Sequence, residues 1–277
     1  MKKTFSLLAV LTLLPLVGCG KNNDKVISVA ASEVPHAEIL NNVVKPILEK
    51  EGYTLEVTVL YWTIQNSEVE SGTYDANYFQ HRPYLEQYDS GNSVYDTNYT
   101  YTKVFPVATV HFEPLRIYAG KKSAEDFETN KKTAEYEICS DVSNEIRALE
   151  LLKKCGAIDD YETDSDGNPI DLPSNIHLID ENLLVSSLQD YDYAVLPANS
   201  ALTGKLKADE TLPVESDEVK DRNANVIAAN VKKYQTDATY KKKIDVLVDA
   251  VLSNEVATFI QSNYQGVVVV AQEDLRK

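Results

Sequence analysis

The chain has 277 residues with 43 acidic and 27 basic side chains, so its formal net charge at pH 7 is −16. A surface this acidic repels phosphate backbones and anionic lipid headgroups, which argues against nucleic acid as a partner and against a basic membrane-binding face. The length is sufficient for one large domain or for two lobes.

The amino terminus has the pattern of an export signal. Lys2 and Lys3 precede an apolar run over residues 5–17, too short for a membrane-spanning helix of about 20 residues. The following Leu16-Val17-Gly18-Cys19 resembles the lipobox of bacterial lipoproteins. This resemblance implies a signal peptide over residues 1–18, a lipid on Cys19 and a polar tether over residues 19–25. The alternative is an ordinary signal peptide with a chance cysteine.

The two other cysteines, Cys139 and Cys155, invite a disulfide in an exported protein. The sequence between them predicts a strand over residues 136–139 and a helix from about Asn144, with Cys155 at the far end of that helix. About eleven helical residues rise about 16 Å, whereas bridged Cα atoms lie within about 7 Å. We therefore predict two unbridged, mostly buried thiols.

The first folded segments predict a βαβ unit. Residues 26–31 form a β-branched strand, apolar residues recur at helical spacing from Ser32 to Gly52, and residues 55–59 alternate as a second strand. Such a unit implies a parallel sheet, and ligands bind at the carboxyl ends of its strands. Trp62 is predicted to close the second strand at this edge, although it could equally fill the core.

Residues 75–84, DANYFQHRPY, place aromatic rings beside an amide and an imidazole. This combination is typical of a pocket for a small, partly apolar molecule. The alternative is an edge strand or turn whose rings fill a core. Tyr78 and Phe79 are predicted to reach the same rim as Trp62.

A second α/β unit is predicted further along the chain. It contains strands over residues 111–119 and 136–140, and a helix that opens at residues 143–147. Arg147 is placed in the first turn of this helix, where free backbone donors already favour an anion. Its planar fork suits a carboxylate held bidentately. The alternative is a surface arginine paired with Glu145 or Glu150.

The remaining sequence predicts three strands, over residues 193–197, 224–228 and 267–271, and one long helix marked by apolar residues from 244 to 260. Residues 164–168 have the composition of a calcium loop. The twelfth position of such a loop would be Pro173, which cannot ligate a cation. We therefore interpret this segment as a polar turn.

Five segments resemble the NlpA family, the methionine-binding lipoproteins of bacterial methionine ABC importers. They are Pro35-His36-Ala37-Glu38-Ile39-Leu40, DANYFQHRPYLEQ over residues 75–87, His111-Phe112-Glu113-Pro114, Asn144-Glu145 with Arg147-Ala148-Leu149, and Ala224-Asn225-Val226-Ile227. The resemblance implies an α/β type II periplasmic-binding-protein fold with two lobes joined by a two-segment hinge. Lobe 1 would comprise residues 26–115 and 228–277, and lobe 2 residues 116–227.

The resemblance also implies a ligand and partners. The ligand would be methionine, a related small apolar amino acid or a short peptide. The protein would bind it on the extracytoplasmic side of the cell membrane and deliver it to an ABC permease that has a cytoplasmic ATPase. Aromatic rings would hold the ligand side chain, Arg147 its carboxylate, and amides with one histidine its polar end. The implied ligand-binding residues are Trp62, Tyr78, Phe79, His81, Asn144, Arg147, Asn199 and Asn225.

Three residues depart from the family pattern. Pro197 stands where an asparagine is frequent, Ser200 where an aromatic residue is frequent, and Trp62 where a tyrosine is usual. Pro197 supplies neither a side-chain amide nor a backbone donor. These departures leave the identity of the ligand open.

Two other functional classes are weighed against binding of an amino acid. A zinc-type importer lipoprotein could use His36, His81 and His111 with Glu38 or Glu113. A lipid-anchored enzyme would need a nucleophile with its base or a metal set, but the sequence has no G-x-S-x-G, H-E-x-x-H or C-x-x-C motif. We predict a binding protein without a catalytic residue, cofactor or metal.

Overall fold

The computed structural model describes residues 23–92, 96 and 98–276. The predicted signal peptide, Cys19 and the first part of the predicted tether lie outside these residues. The described part of the tether forms a short helical turn, Asn23–Lys25. In the part of the chain that is described, no helix is long and apolar enough to cross a membrane.

The first lobe begins with the predicted βαβ unit. Strand β1 (Val26–Ala31) pairs in parallel with β2 (Thr54–Val59), which confirms the prediction. The segment between them passes through two wide helical turns, Glu33–Ala37 and Leu40–Val44, into helix α1 (Lys45–Lys50). The next elements are α2 (Trp62–Ser71), β3 (Ala76–His81), α3 (Arg82–Ser90) and β4 (Val104–Phe112).

The second lobe follows β4. Its elements are β5 (Arg116–Ala119), α4 (Phe127–Asn130), β6 (Tyr136–Cys139), α5 (Val142–Lys154), β7 (Glu162–Thr163), β8 (Pro169–Ile170), β9 (Ile176–Ile179), α6 (Glu181–Ser187), β10 (Tyr193–Leu196) and α7 (Ala198–Thr203). Four of these strands form one sheet in the order β5-β10-β6-β9, and β7 pairs with β8. Residues 164–168 are the turn of that small hairpin, as predicted, with Asp164 Oδ1 accepting from the Asp166 and Asn168 amides.

The chain then returns to the first lobe. The returning elements are α8 (Lys220–Asn223), β11 (Ala224–Asn230), α9 (Val231–Thr236), α10 (Ala238–Val251), α11 (Asn254–Tyr264) and β12 (Val269–Asp274). The single long helix predicted near the carboxyl terminus is therefore wrong. It is two helices, because Ser253 starts α11 by accepting a hydrogen bond from the Val256 amide.

The two lobes have separate sheets and separate cores. The first lobe has a six-stranded sheet in the order β12-β4-β11-β3-β1-β2, in which β1, β2 and β3 are parallel. Its core packs helices α10 and α11 on this sheet through Ile244, Leu247 and Ile260. The core of the second lobe is centred on residues such as Ile138 and Leu149. This is the two-lobe α/β architecture that the sequence predicts.

The connection between the lobes consists of two segments, residues 113–115 and 216–219. They lie side by side where they meet the second lobe, at Leu115 and Glu215. The Glu215 amide donates to the Leu115 carbonyl over 2.9 Å, and the Leu115 amide donates to Glu215 Oε2 over 2.7 Å. The two-segment hinge is therefore present. The predicted boundary between residues 227 and 228 falls inside β11, whose residues pair within the sheet of the first lobe from Ala224 onward.

Helix α5 starts earlier than predicted. Asp141 caps it by accepting from the Ser143 and Asn144 amides, so its first helical residue is Val142. Arg147 consequently lies in the second turn instead of the first. Cys139 ends β6 and Cys155 follows α5, and both thiols are free, in agreement with the prediction.

Candidate functional site

The candidate site is a cleft between the lobes beside the hinge. Its inner cavity has a volume of about 50 Å³ and is lined by Ser32, Trp62, Phe79, Gln80, His81, Tyr84, Glu113, Asn144, Arg147, Glu181, Pro197, Asn199 and Asn225. Seven of the eight ligand-binding residues predicted from the sequence are among them. An outer cavity of about 460 Å³ adjoins it and shares Ser32, Trp62, Glu181 and Asn199.

Three aromatic rings form one wall of the inner cavity. Trp62 is the first residue of α2, because Tyr61 before it is extended, and so it does not close β2 as predicted. Its ring lies 5.3 Å from that of Tyr84, which lies 5.7 Å from that of Phe79, both edge to face. Edge-to-face rings hold one another rigidly and present an apolar surface. Tyr84 was not predicted as a site residue.

Tyr78 is the predicted site residue that the structure does not bring to the cavity. It lies in β3 next to Phe79, and successive side chains of a strand point to opposite faces. Its ring is fully buried in the core of the first lobe, and its hydroxyl hydrogen-bonds His111 Nδ1. The sequence interpretation placed both rings on one rim because it put them after a turn, where this alternation does not apply.

His81 and Asn144 join the two lobes across the cavity. His81 Nδ1 accepts from the Tyr84 amide, which leaves Nε2 to donate to Asn144 Oδ1 over 3.0 Å. Burial and the positive charge of Arg147 lower the pKa of His81 to about 3, so the ring is neutral at pH 7. A second contact between the lobes is the Asn182 Nδ2 bond to the Tyr61 hydroxyl, 2.5 Å long, at the mouth of the cleft.

Arg147 already has a carboxylate partner, Glu215. Its Nε and Nη2 donate to the two carboxylate oxygens over 3.1 and 2.6 Å. Nη2 also donates to the Glu113 carbonyl and Nη1 to Asn144 Oδ1, so one N–H of Nη1 remains. The fork that was predicted to hold a ligand carboxylate bidentately is therefore taken by Glu215. Neither Glu145 nor Glu150, the alternative partners, is involved.

Two other carboxylates line the inner cavity, Glu113 and Glu181. Glu113 is buried at the end of β4, where Oε2 accepts from the Asn199 amide over 2.8 Å. Glu181 Oε1 accepts from Asn199 Nδ2 over 3.0 Å and from the Ser200 hydroxyl over 3.1 Å. Burial raises the pKa of both groups, that of Glu181 to about 7. The cavity therefore holds more acidic than basic groups.

Behind the cavity lies a buried group of polar side chains. Ligand atoms of His36, His111 and Glu113 lie within 4.8 Å of one another, so the structure brings together three residues of the metal-binding alternative. His81 instead bonds Asn144, and Glu38 accepts from the Tyr264 hydroxyl. Burial lowers the pKa of His36 to about 4 and that of His111 to about 3. Both rings are therefore neutral at pH 7.

Two buried polar atoms of the cavity lining have no hydrogen-bond partner among the described residues. They are the Trp62 indole Nε1, a donor, and the Asn199 amide Oδ1, an acceptor. The side-chain oxygen of Asn225 does have a hydrogen-bond partner, since it lies 3.1 Å from His36 Nε2. Buried polar atoms are normally paired, so the two unpaired ones indicate where a ligand can bind.

The cavity residue that the sequence interpretation missed altogether is Glu181. It is the first residue of α6, directly after the carboxyl end of the parallel strand β9. The ends of parallel strands are where ligands bind in α/β sheets, so this position was an available signal. The four residues of β9 include His177 and an exposed Leu178, and they lack the apolar pattern that reveals a strand.

Three comparisons with known proteins show what this chain is similar to. A family model described as NlpA lipoprotein matches residues 27–272. The methionine-binding lipoprotein MetQ of Bacillus subtilis is 31% identical over 274 residues, covering 93% of this chain and 94% of its own. A Burkholderia cenocepacia nutrient binding protein, solved bound to methionine, superposes with a TM-score of 0.72 at 27% identity, covering 88% of this chain and 99% of its own.

Proposed function

The chain belongs to the NlpA lipoprotein family, and we propose on this premise that it is the solute-binding lipoprotein of an ABC importer. Its ligand is methionine, a related small apolar amino acid or a short peptide that contains one. A lipid on Cys19 holds it at the extracytoplasmic face of the cell membrane, where it delivers the ligand to a permease with a cytoplasmic ATPase. Its role is binding and delivery, not catalysis.

The observation that carries the proposal is the convergence of an apolar wall and polar groups in one cleft between two lobes. The rings of Trp62, Phe79 and Tyr84 hold the ligand side chain. The ligand carboxylate accepts from the remaining N–H of Arg147 and from the unpaired indole N–H of Trp62. Aromatic side chains with a few polar groups are the usual lining of a site for a small ligand.

Ligand binding is coupled to closure of the lobes. In this structure His81 contacts Asn144 across the cleft, and Tyr61 contacts Asn182. The inner cavity of about 50 Å³ holds a few water molecules at most and is too small for an amino acid. Opening of the lobes would enlarge this cavity and admit the ligand, which then favours closure through contacts made to both.

Mass spectrometry of the small molecules released when the purified protein is denatured tests the proposal. We expect methionine or a related amino acid or peptide, one molecule per chain. A preparation that releases none is refolded and screened by thermal shift against amino acids, and we expect the unfolding temperature to rise with methionine. No response to any amino acid or methionine peptide would refute the proposal.

Metal analysis of the same preparation tests the second candidate function. The cluster of His36, His111 and Glu113 supports it, since two neutral imidazoles and a carboxylate are suitable zinc ligands. Zinc bound in equal amount to the protein, together with its loss in His111→Ala, would favour a metal importer component. Binding of an amino acid without zinc would favour the amino-acid-binding function.

A further inference from the structure

The charges that face the cleft do not balance among the described residues. Arg147 is the one basic side chain lining the inner cavity, and its charge is matched by Glu215. Glu113 and Glu181 line the same cavity. Glu113 lies 2.8 Å from His111 and 3.3 Å from His36, whereas Glu181 has no basic partner among the described residues. Glu181 is thus left without a cation.

Glu181 is placed to contact a ligand bound in either cavity. It lines the inner and the outer cavity, together with Trp62 and Asn199. Its hydrogen-bond partners are both neutral, the Asn199 amide and the Ser200 hydroxyl, and both bond Oε1. Within the described part of the chain it has no ion pair. No described residue donates a hydrogen bond to the second oxygen, Oε2.

Asn199 adds a second acceptor at the same place. Its Nδ2 donates to Glu181, which turns its Oδ1 the other way, and this oxygen is buried without a partner. Its backbone amide donates to Glu113 Oε2. A single residue thus connects both carboxylates and supplies an unused acceptor between them.

We propose that Glu181, the Asn199 Oδ1 and Glu113 form a subsite for a protonated primary amine of the ligand. The inference rests on the proposed function and specifies which ligands the cleft accepts. A primary ammonium has three N–H donors and one positive charge. It therefore satisfies the unpaired Asn199 acceptor and supplies the cation that Glu181 lacks.

The subsite also determines what the cleft rejects. A ligand with a carboxylate and no amine adds a further negative charge beside Glu181, and the one arginine that lines the inner cavity is already paired. Like charges at short range repel. The amine itself has two possible sources, the α-ammonium of an amino acid or a terminal amine on a longer side chain. Both sources present the same ammonium group to Glu181. They are distinguished by comparing lysine with norleucine, which lacks the side-chain amine.

The test is titration calorimetry of wild type and Glu181→Gln with two pairs of ligands. The first pair is methionine and its desamino analogue 4-(methylthio)butanoate, and the second is lysine and norleucine. The substitution keeps the shape and the acceptor oxygen of residue 181, so folding is preserved. We expect wild type to prefer methionine over the desamino analogue at least 100-fold, and Glu181→Gln to reduce this ratio at least tenfold.

Glu33→Gln is the matched control. Glu33 also lines the outer cavity, but its side chain is exposed. Its substitution likewise replaces one carboxyl group of the cleft with an amide, and we expect the ratio to stay within about twofold of wild type. A terminal-amine subsite would instead show a loss of lysine affinity in Glu181→Gln with methionine affinity unchanged.

The outcomes separate this inference from the proposed function. If wild type binds methionine and Glu181→Gln retains the wild-type preference in both ligand pairs, the amine subsite is wrong and the proposed function stands. If wild type binds none of the four ligands, and no other amino acid or methionine peptide raises its unfolding temperature, the proposed function fails and the subsite fails with it.

Discussion

At the level of single residues, the cleft is organised by which charged groups have a partner inside the protein. Arg147 is held by Glu215, and His81 is held between the Tyr84 amide and Asn144. These side chains are already positioned before a ligand arrives. Glu181 is different, because its neighbours are neutral and burial raises its pKa to about 7. It is therefore the residue through which pH can change binding.

Ligand affinity should depend on pH through Glu181. An ammonium binds the ionised carboxylate, and with a pKa of about 7 in the free protein that form decreases as the pH falls below 7. We expect the affinity for methionine to decrease about tenfold between pH 8 and pH 6. Titration calorimetry across this range measures the change, with proton release on binding at pH 7 as an independent readout.

Glu181→Gln is the control for this pH dependence, because other ionisable groups lie near Glu181. They are Glu113, Asp141, Tyr61, Tyr84 and Cys139. Burial raises the pKa values of the two tyrosines and the thiol, which therefore remain protonated from pH 6 to 8. If the pH dependence persists in Glu181→Gln, Glu113 or Asp141 is the titrating group instead.

At the level of secondary-structure elements, the site depends on where helices and strands begin. The periodicity of residues 26–59 correctly predicts the first strand, helical segment and second strand. The face of the sheet to which an individual side chain points was harder to predict. Tyr78 and Phe79 differ by one position in β3, and that one position sends Tyr78 to the core and Phe79 to the cavity.

Helix α5 presents Asn144 to the cleft through its cap. Asp141 accepts from the Asn144 amide over 3.2 Å and from its side-chain Nδ2 over 2.9 Å, which fixes the Asn144 oxygen toward His81 and Arg147. The sequence indicated Asn144 as a site residue. It did not indicate the cap, because the helix was predicted to start later.

Replacing the cap should affect both stability and binding. Asp141→Ala removes the acceptor for the first turn of α5, and we expect a loss of about 1 kcal/mol in the free energy of unfolding. It also frees Asn144, so we expect methionine affinity to fall at least fivefold. Urea denaturation and titration calorimetry measure the two effects.

Asp237→Ala is the matched control for this cap. Asp237 caps α10 by accepting from the Thr239 and Tyr240 amides, and it does not line either cavity of the cleft. We expect a similar loss of stability with unchanged affinity. Equal affinity in the two variants would show that the α5 cap has no influence on the site.

At the level of the whole molecule, the hinge and the binding site share residues. Arg147 extends from α5 in the second lobe to the carbonyl of Glu113, which begins the first connecting segment, and to Glu215, which directly precedes the second. Glu215 also accepts from the Leu115 amide. One ionic contact therefore fixes both segments and one wall of the cleft. A ligand that contacts Arg147 acts directly on the hinge.

This contact could not be predicted from the sequence. The two-lobe fold follows from short strands and amphipathic helices together with the resemblance of several segments to a known family. Arg147 and Glu215 are 68 positions apart, and Glu215 lies in a loop with no periodic pattern. Local spacing carries no information about such a pair, so the arginine was assigned to the ligand alone.

Removing Arg147 should destabilise the protein even without ligand. The side chain of Glu215 is 7% exposed and would be left without its cation. We expect Arg147→Ala to lower the free energy of unfolding by about 3–5 kcal/mol, measured by urea denaturation. Arg147→Met combined with Glu215→Gln should recover much of this loss, because neither residue is then charged.

Arg82→Ala provides the comparison for a surface pair. Arg82 bonds Glu273 over 3.0 Å, and the carboxylate side chain is 57% exposed. Such pairs contribute about 0–1 kcal/mol. A loss in Arg147→Ala as small as that in Arg82→Ala would mean that the buried pair does not support the hinge.

Titration calorimetry with methionine, on protein freed of ligand by denaturation and refolding, tests most directly whether the cleft between the lobes is the binding site. Trp62 is the one tryptophan of the chain and lines both cavities. We expect one methionine per wild-type chain, and at least tenfold weaker binding in Trp62→Ala than in Phe259→Ala, a change on the remote helix α11. Equal dissociation constants for wild type and Trp62→Ala would place the ligand outside this cleft.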